Sequence, residues 1–411
     1  MLPPTVRLLY LGRFFMALRF FAAVQVIYFA QVTGSYTLAT SLLAASTISQ
    51  ACLELPTGVC SDTLGRSQTA VLASVAALVS VALYALAGGY GVLLAGAVVE
   101  GLARALGSGN SEALLYDALR DAGQEERYHH ANGRLGAIEA AGFGLAALAG
   151  GAFASRSMAL ALWLSVLTQA LAVAVALRVA EPASTSRSTL NPYRHLREAA
   201  TVFRRNPRLR LLTLAQTWSE ALGESSFQFA PIFLQSLLPL WGIGVLRAAT
   251  NLLSAAGFYL SGPIIDRLGA LRTLVGRFLG DRACLLLAYG MPGPWSVVLM
   301  TVTALIYGPA QVAQGTLLQR EFIHQQRATL GSLDSLVGSV GLAASSVAIG
   351  VVADRIGPRN VLLLAQVLLL PVIAIYWRIF RHNGQRSGGG SVERRSRPLN
   401  ALFAYRPIRE P

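Results

Sequence analysis

The stretch ELPTGVCSDTLGR, residues 54–66, is the part of the chain from which the fold is best read. It lies between two long apolar runs, so its proline, two glycines, acid and arginine fall where a membrane helix must end and turn back. Gly58 and Gly65 allow two helix ends to approach closely, and Asp62 is placed to cap the N–H groups that open the next helix. The spacing Gly58-x3-Asp62-x2-Gly65-Arg66 therefore predicts a tight turn between two spanning helices.

The pattern occurs twice more. Gly262-x3-Asp266 opens a second copy about half of the 411 residues further on, and Gly350-x3-Asp354 opens a third. Two copies at half-chain spacing indicate two related halves. A long apolar chain with this repeat resembles the major facilitator superfamily of transporters over residues 1–382, where G-x3-D-x2-G-R is known as motif A. The third copy falls where the inverted repeats of such transporters would place a counterpart on the opposite membrane face.

The composition is that of an integral membrane protein. Hydrophobic residues make up 54% of the chain and charged residues 13%, and the mean hydropathy is +0.52; soluble domains carry about 25% charged residues. The apolar runs are continuous and do not alternate, which favours helices over a barrel. Twelve runs of about 20 residues lie near 8–32, 36–59, 69–89, 91–117, 131–153, 156–180, 209–236, 241–264, 272–290, 295–319, 328–352 and 360–381.

The basic residues lie mainly on one side of this twelve-helix arrangement. The net charge is +14, and all 34 basic residues are arginine. Loops on one side hold Arg120, Arg127 and the cluster within 187–210, whereas the other side holds only three loop arginines: Arg156, Arg355 and Arg359. By the positive-inside rule, both termini are expected in the cytoplasm and the protein in the cytoplasmic membrane.

These features predict an all-α membrane protein of twelve transmembrane helices in two pseudo-symmetric six-helix bundles. The bundles are expected at residues 1–180 and 209–381. Residues 181–208 form a basic cytoplasmic linker that is predicted to include a short helix on the membrane surface, and 382–411 form a disordered cytoplasmic tail.

Among the charged residues that fall within apolar runs of the amino-terminal half, four are candidate functional residues. Arg19 lies near the middle of the first run, where a charge costs several kcal/mol unless it is paired or hydrated. Glu100 and Arg104 lie on one helix face; they form an internal ion pair or, as the resemblance of Arg104 to the family's motif B implies, take part in proton coupling. Glu139 is either a proton or cation site or the partner of Arg19 or Arg104.

Glu220 and Glu224 are the sharpest chemical signal of the carboxyl-terminal half. They lie one turn apart on one helix face, and burial and like charge both raise a carboxyl pKa, which favours proton exchange by one of them. The alternative is that one pairs with Arg247 and the other faces a water-filled cavity without titrating. Asp281 and Arg282 are expected to form structural pairs across helices.

Uncharged polar side chains on the tenth run predict a cavity wall. They are Tyr307, Gln311 and Gln314, and Gly308-Pro309 predicts a bend beside them.

No nucleotide-binding loop and no catalytic motif is found, so we expect a transporter and not an enzyme, without cofactor or metal and without a nucleic-acid partner. The resemblance implies alternating access, with Asp62, Arg66 and Asp266 locking the cytoplasmic ends of the bundles. The leading hypothesis is a monomer that exports an amphipathic small molecule in exchange for protons. The fifth helix lacks the Gly-Pro pair that drug/proton antiporters carry there, and uptake or facilitated transport of a polar or anionic metabolite stays open as the alternative.

Overall fold

The computed structural model describes residues 3–182, 207–321 and 327–376. Within them the chain is helical, with short turns and no strand. The predicted tail 382–411 and all but the ends of the predicted linker 181–208 lie outside the described residues.

Eight long helices form the amino-terminal half. They are α1 (Pro4–Ala17), α2 (Gln25–Thr33), α3 (Tyr36–Leu64), α4 (Arg66–Ala85), α5 (Tyr90–Gly107), α6 (Asn110–Asp121), α7 (Tyr128–Arg156) and α8 (Met158–Ala176), with 3-10 turns at Ala22–Val24 and Glu125–Arg127.

Seven helices follow in the carboxyl-terminal half. They are α9 (Pro207–Leu234), α10 (Leu240–Tyr259), α11 (Ser261–Leu268), α12 (Ala270–Gly290), α13 (Pro294–Glu321), α14 (Arg327–Ile356) and α15 (Pro358–Leu368), and the last span continues to Tyr376.

The helices are consistent with twelve membrane spans. Among the described residues, eight segments are long and apolar enough to cross a membrane, and the bent pair α10 and α11 makes a ninth. Three further long helices, α3, α9 and α12, complete the count. Three of the spans are interrupted: the first breaks between α1 and α2, the fourth between α5 and α6, and the eighth bends by 54°.

The second glycine of the repeated motif has the same backbone role in all three copies. Gly65, Gly269 and Gly357 have φ values of 105°, 80° and 85°. Residues other than glycine rarely adopt these positive φ values. Each of the three glycines ends one helix immediately before the next begins. The predicted tight turn is therefore confirmed at each copy.

The helix order defines two ends of the molecule. We call the end that carries the turn at Gly65 and residues Arg120 and Arg127 the basic end. The opposite end, which carries the turns at Gly34 and Gly357, is called the closed end because the two bundles meet there. Helix α3 packs on α14, and α7 packs on α10.

Glycines allow the two bundles to touch backbone to backbone at the closed end. A Cβ on Gly350 would stand 2.7 Å from the carbonyl oxygen of Tyr36 and would overlap the hydroxyl of Thr40. A Cβ on Gly151 would lie 2.9 Å from the Cα of Gly244. Both crossings therefore require glycine.

Asp354, from the third motif copy, joins the bundles at the same end. Its carboxylate accepts the backbone N–H of Tyr36 (2.8 Å) and that of Thr37 (3.0 Å), which open α3. The hydroxyls of Ser35 (2.7 Å) and Thr37 (2.6 Å) donate to it as well. A carboxylate at a helix N-terminus satisfies unpaired donors and complements the helix dipole. The acid at the end of α14 thus caps a helix of the other bundle.

The basic end is more open. A Cβ on Gly58, Gly133 or Gly262 would meet no atom within 4 Å. These glycines lie on α3, α7 and α11, toward the basic end of each span. The bundles therefore converge at the closed end and leave space at the basic end.

We expect Gly350→Ala to lower the melting temperature of the purified protein in detergent, because overpacking at a close crossing costs about 1–3 kcal/mol. Gly338→Ala is the matched control: it lies on the same helix, and a Cβ there meets no atom within 4 Å. Since both changes gain the same helix propensity, Gly338→Ala should leave stability equal or higher. Equal melting temperatures for the two variants would contradict the close crossing.

Candidate functional site

The break in the first membrane span creates the environment of Arg19. The chain leaves helical geometry after Ala17 and resumes it at Gln25. Side chains of α8 satisfy the backbone groups that the break frees: the Phe20 N–H donates to Ser165 Oγ (2.9 Å), and Thr168 Oγ1 donates to the Leu18 carbonyl (2.6 Å). Irregular backbone at membrane depth needs such internal partners.

Arg19 points into the amino-terminal bundle, as expected for a charge at that depth. Its Nη1 lies 2.8 Å from Glu100 Oε1, and Arg104 Nη2 lies 2.9 Å from the same oxygen. The hydroxyl of Tyr84 donates to the other oxygen at 2.7 Å, and Gln25 Nε2 donates to it at 3.4 Å. Glu100 is only 3% exposed. The predicted Glu100–Arg104 pair is confirmed, and Arg19 completes a buried triad with a net charge of +1.

Glu139 belongs to a second cluster. Its Oε2 lies 3.5 Å from Arg13 Nε, and Arg13 Nη2 lies 3.6 Å from Glu112 Oε1. The expectation that Glu139 pairs with Arg19 or Arg104 is therefore wrong, because both arginines are committed to Glu100 while Arg13 of α1 faces α7. Sequence reasoning overlooked Arg13 because it lies nearer the start of the first span.

A cavity of about 690 Å³ lies in the carboxyl-terminal bundle. Six charged side chains line it: Glu220, Glu224, Arg247, Arg277, Asp281 and Arg282. Tyr307, Gln311 and Gln314 of α13 form part of the wall, which confirms their predicted role, and α14 and α15 contribute as well. Apolar groups fill the rest, among them Phe227, Leu246, Leu285 and Met300. This volume suits a small organic molecule.

Both predicted acids of α9 line this cavity. Glu220 Oε1 accepts Gln216 Nε2 (3.1 Å) from its own helix and Gln314 Nε2 (3.0 Å) from α13. Glu224 Oε1 accepts Gln228 Nε2 at 3.0 Å. These glutamine amides hold both carboxylates on the cavity wall.

Arg247 reaches the same cavity but binds elsewhere. Its Nη2 donates to the carbonyl of Phe227 at 2.9 Å, and its guanidinium carbon lies 3.8 Å from the centre of the Phe227 ring. No ion pair between Arg247 and Glu220 or Glu224 is found among the described residues. Both acids face the cavity, and the alternative in which one of them pairs with Arg247 is not supported by the described residues.

Three charges of α12 were misjudged from the sequence. Asp281 pairs with Arg277 of its own helix, with 2.9 Å between Asp281 Oδ2 and Arg277 Nε, so the expected pairing across helices is wrong. Arg277, Asp281 and Arg282 all line the cavity. The spacing of Arg277 and Asp281, one helical turn apart, was a signal that could have placed them on one face.

Several polar contacts hold the first motif copy, residues 58–66, in place at the basic end. Arg66 Nη1 lies 3.1 Å from Asp117 Oδ2. The carboxylate of Glu181 accepts the backbone N–H groups of Arg66 and Ser67, each at 2.7 Å. Glu181 thus fills the capping role that the sequence assigned to Asp62, whose side chain lies outside the described part of the chain. Asp266 of the second copy is exposed.

No group of three or more His, Cys, Asp and Glu that could hold a metal is present in the described ranges 3–182, 207–321 and 327–376. The candidate site therefore consists of ion pairs, amides and aromatic rings in two bundles of membrane helices. Such a site can bind and release a small molecule. Bundles of this kind with polar groups turned inward define the class of membrane transporters.

Comparison with known proteins identifies the family. The chain matches the family model of the Major Facilitator Superfamily over residues 9–344, and it belongs to that superfamily. It is therefore a transporter and not an enzyme. No curated protein matches the chain in sequence.

Solved structures share the fold at low identity. A variant of the nucleoside transporter NupG is 14% identical with a TM-score of 0.78, covering 92% of this chain and 99% of its own. PepTSo, a POT family transporter, is 11% identical with a TM-score of 0.74, covering 94% and 99%. The human organic anion transporter MFSD10 is 19% identical with a TM-score of 0.56, covering 91% and 100%.

We expect Glu100→Gln to destabilise the protein by about 3–5 kcal/mol, because it leaves Arg19 and Arg104 without their carboxylate. The measurement is the melting temperature of the purified protein, with Glu112→Gln as control. Glu112 is half-exposed and makes a looser pair, so that change should cost about 1 kcal/mol or less. Similar losses in the two variants would show that the triad is not a buried, mutually dependent cluster.

Proposed function

We propose that this chain is a proton-coupled secondary transporter that moves a small amphipathic molecule across the cytoplasmic membrane as a monomer. The arginine distribution supports placing the basic end in the cytoplasm. With that orientation, the cavity-bearing structure is open toward the cytoplasm and closed toward the outside. Residues 1–180 and 209–381 act as the two moving domains, joined by the linker 181–208.

One observation carries the proposal: Glu220 and Glu224 lie one turn apart on the wall of the same cavity. Two like charges on one cavity wall repel each other. In this proposal one of the two carboxylates takes up and releases the coupled proton. A proton that is taken up or released there changes the charge that a bound substrate meets.

The sign of the substrate's charge decides the direction of coupling. A cationic substrate competes with protons for Glu220 and Glu224, which gives exchange and hence proton-driven export. An anionic substrate binds more tightly once these acids are neutralised, which gives co-transport. Apolar wall residues such as Phe227 and Met300 favour an amphipathic cargo in either case, and the arginines of the wall favour the anionic alternative.

Residues of the amino-terminal bundle take supporting roles in this proposal. Arg104 is half-exposed while its partner Glu100 is buried, so its free side can meet the substrate. Arg19 lies 2.8 Å from the same carboxylate and keeps Glu100 in position. Glu139, which lies beside Arg13, is the candidate for a second proton carrier.

Proton movement in liposomes tests the function. Purified protein is reconstituted and challenged with lipophilic cations and organic anions while internal pH is followed. We expect substrate-evoked proton flux that falls at least tenfold in Glu220→Gln or Glu224→Gln. The matched control is Glu126→Gln, an exposed acid of the loop before α7.

The flux results separate the alternatives. Proton movement opposite to cargo supports export, and movement with cargo supports co-transport. Cargo movement that leaves internal pH unchanged would refute proton coupling.

The motif residues are proposed to lock the basic end when the transporter opens to the other side. In the present state Gly58 and Gly262 face open space, which supports a partner that arrives only on closure. We expect Asp62→Asn to reduce the transport rate at least fivefold without loss of membrane insertion, and Asp266→Asn to act in the same direction. Transport at the wild-type rate in Asp62→Asn would rule out this gating role.

A further inference from the structure

We propose that the cavity of the carboxyl-terminal bundle binds an anionic group of its substrate, a carboxylate, sulfonate or phosphate, on the guanidinium of Arg282, with Arg247 as the second cation. The inference deepens the proposed function and rests on it in taking this cavity as the substrate site. It concerns the chemistry of the ligand, and its test does not depend on proton coupling.

Arg282 is a buried cation without a committed partner. It is 8% exposed, and its Nε and Nη1 have no hydrogen-bond partner in the described part of the chain. No carboxylate of the described residues lies within ion-pair distance of it. A buried guanidinium in this condition is costly unless an anion joins it. Its position on the wall of a 690 Å³ cavity gives that anion a place to bind.

The neighbouring acid forms no ion pair with Arg282 in the described part of the chain. Asp281 instead binds Arg277, with 2.9 Å between Asp281 Oδ2 and Arg277 Nε. That pair is internally neutral. Removing Arg282 would therefore leave Asp281 with its partner, whereas removing Arg277 would not.

Arg247 is the second cation that a ligand can engage. Its hydrogen bond to the Phe227 carbonyl uses one nitrogen, and the Phe227 ring covers one face of the guanidinium. Stacking of this kind fixes the plane of an arginine and leaves its remaining N–H groups for a bidentate acceptor. The two unpaired arginines project from α10 and α12 into one cavity.

The other acceptors of the cavity are consistent with an anionic ligand. Glu220 and Glu224 take N–H donors from glutamines. Gln366 of α15 is 1% exposed, and its Oε1 has no partner among the described residues. A hydroxyl or amide N–H on the same ligand would satisfy that oxygen. The site therefore fits an organic anion that also carries a hydrogen-bond donor.

The test compares four ligands that share one naphthalene ring: naphthalenesulfonate, naphthoate, the neutral naphthalenesulfonamide and cationic naphthylmethylammonium. Binding to the full-length protein in detergent is measured by titration calorimetry and by the shift in melting temperature. We expect the two anions to bind at least tenfold more tightly than the neutral and cationic compounds. Equal affinity across the four, or no stabilisation by either anion, would overturn the proposal.

Variants of Arg282 locate the anion. Arg282→Met should lose at least tenfold in anion affinity, yet melt without ligand at the wild-type temperature or above it, because it removes an unpaired buried charge. Arg282→Lys should keep part of the affinity, and the exposed Arg272→Gln on the same helix should keep all of it. Unchanged anion affinity in Arg282→Met would place the anion elsewhere and refute the assignment.

The two proposals fail separately. Anion binding that depends on Arg282, together with transport that moves no protons, would keep this inference and remove proton coupling. Proton-coupled transport of neutral or cationic compounds that Arg282→Met leaves intact would do the reverse.

Discussion

The cost of placing charge in an apolar solvent governs the whole structure. Each arginine or acid within a membrane span must find a partner inside the protein. Glu100 meets this demand most completely, with two arginines and the Tyr84 hydroxyl on its two oxygens. To bring Arg19 to that carboxylate, the first span breaks, and α8 must then supply hydroxyls to the freed backbone. One buried charge thus determines the shape of one helix and the polar residues of another.

The same rule is applied differently in the two bundles. Around Glu100, the two arginines and the tyrosine bind one carboxylate, and the cluster stabilises the amino-terminal bundle. In the carboxyl-terminal bundle, Arg282 is left without a partner beside an open volume. The Glu100 cluster holds both of its arginines on one carboxylate, whereas Arg282 has no carboxylate partner among the described residues. The two halves therefore pair their buried charges differently, although one sequence pattern runs through both.

Much of the fold could be predicted from the sequence because the membrane restricts the choices. The length of the apolar runs predicts the spans, and the repeated glycines predict turns whose positive φ the structure confirms at Gly65, Gly269 and Gly357. The inward orientation of Glu220, Glu224 and Gln314 could also be predicted, because charged and amide side chains in a span must face inward. The structure places all three on the wall of one cavity.

The other features could not be predicted because they depend on contacts between helices that lie far apart in the chain, and one sequence does not specify those contacts. The break in the first span is allowed because hydroxyls of α8 complete its backbone hydrogen bonds. The partner of Glu139 proved to be Arg13 because α1 and α7 face each other there. The cap on α4 comes from Glu181, more than one hundred residues away. Arg277 was overlooked and Arg282 was expected to pair across helices, whereas both line the cavity because α12 turns one face toward it.

The hydrogen bonds of Asp354 affect how stable the contact between the bundles is at the closed end. Its four hydrogen bonds lie at an exposed surface, where water can replace each donor in turn. Exchange with water leaves a net contribution of about 0.5–1.5 kcal/mol for an ordinary hydrogen bond. A free-energy difference of about 1.4 kcal/mol changes the ratio of two states tenfold. The hydrogen bonds of Asp354 therefore favour the state in which the bundles meet at the closed end, and they can still be broken reversibly.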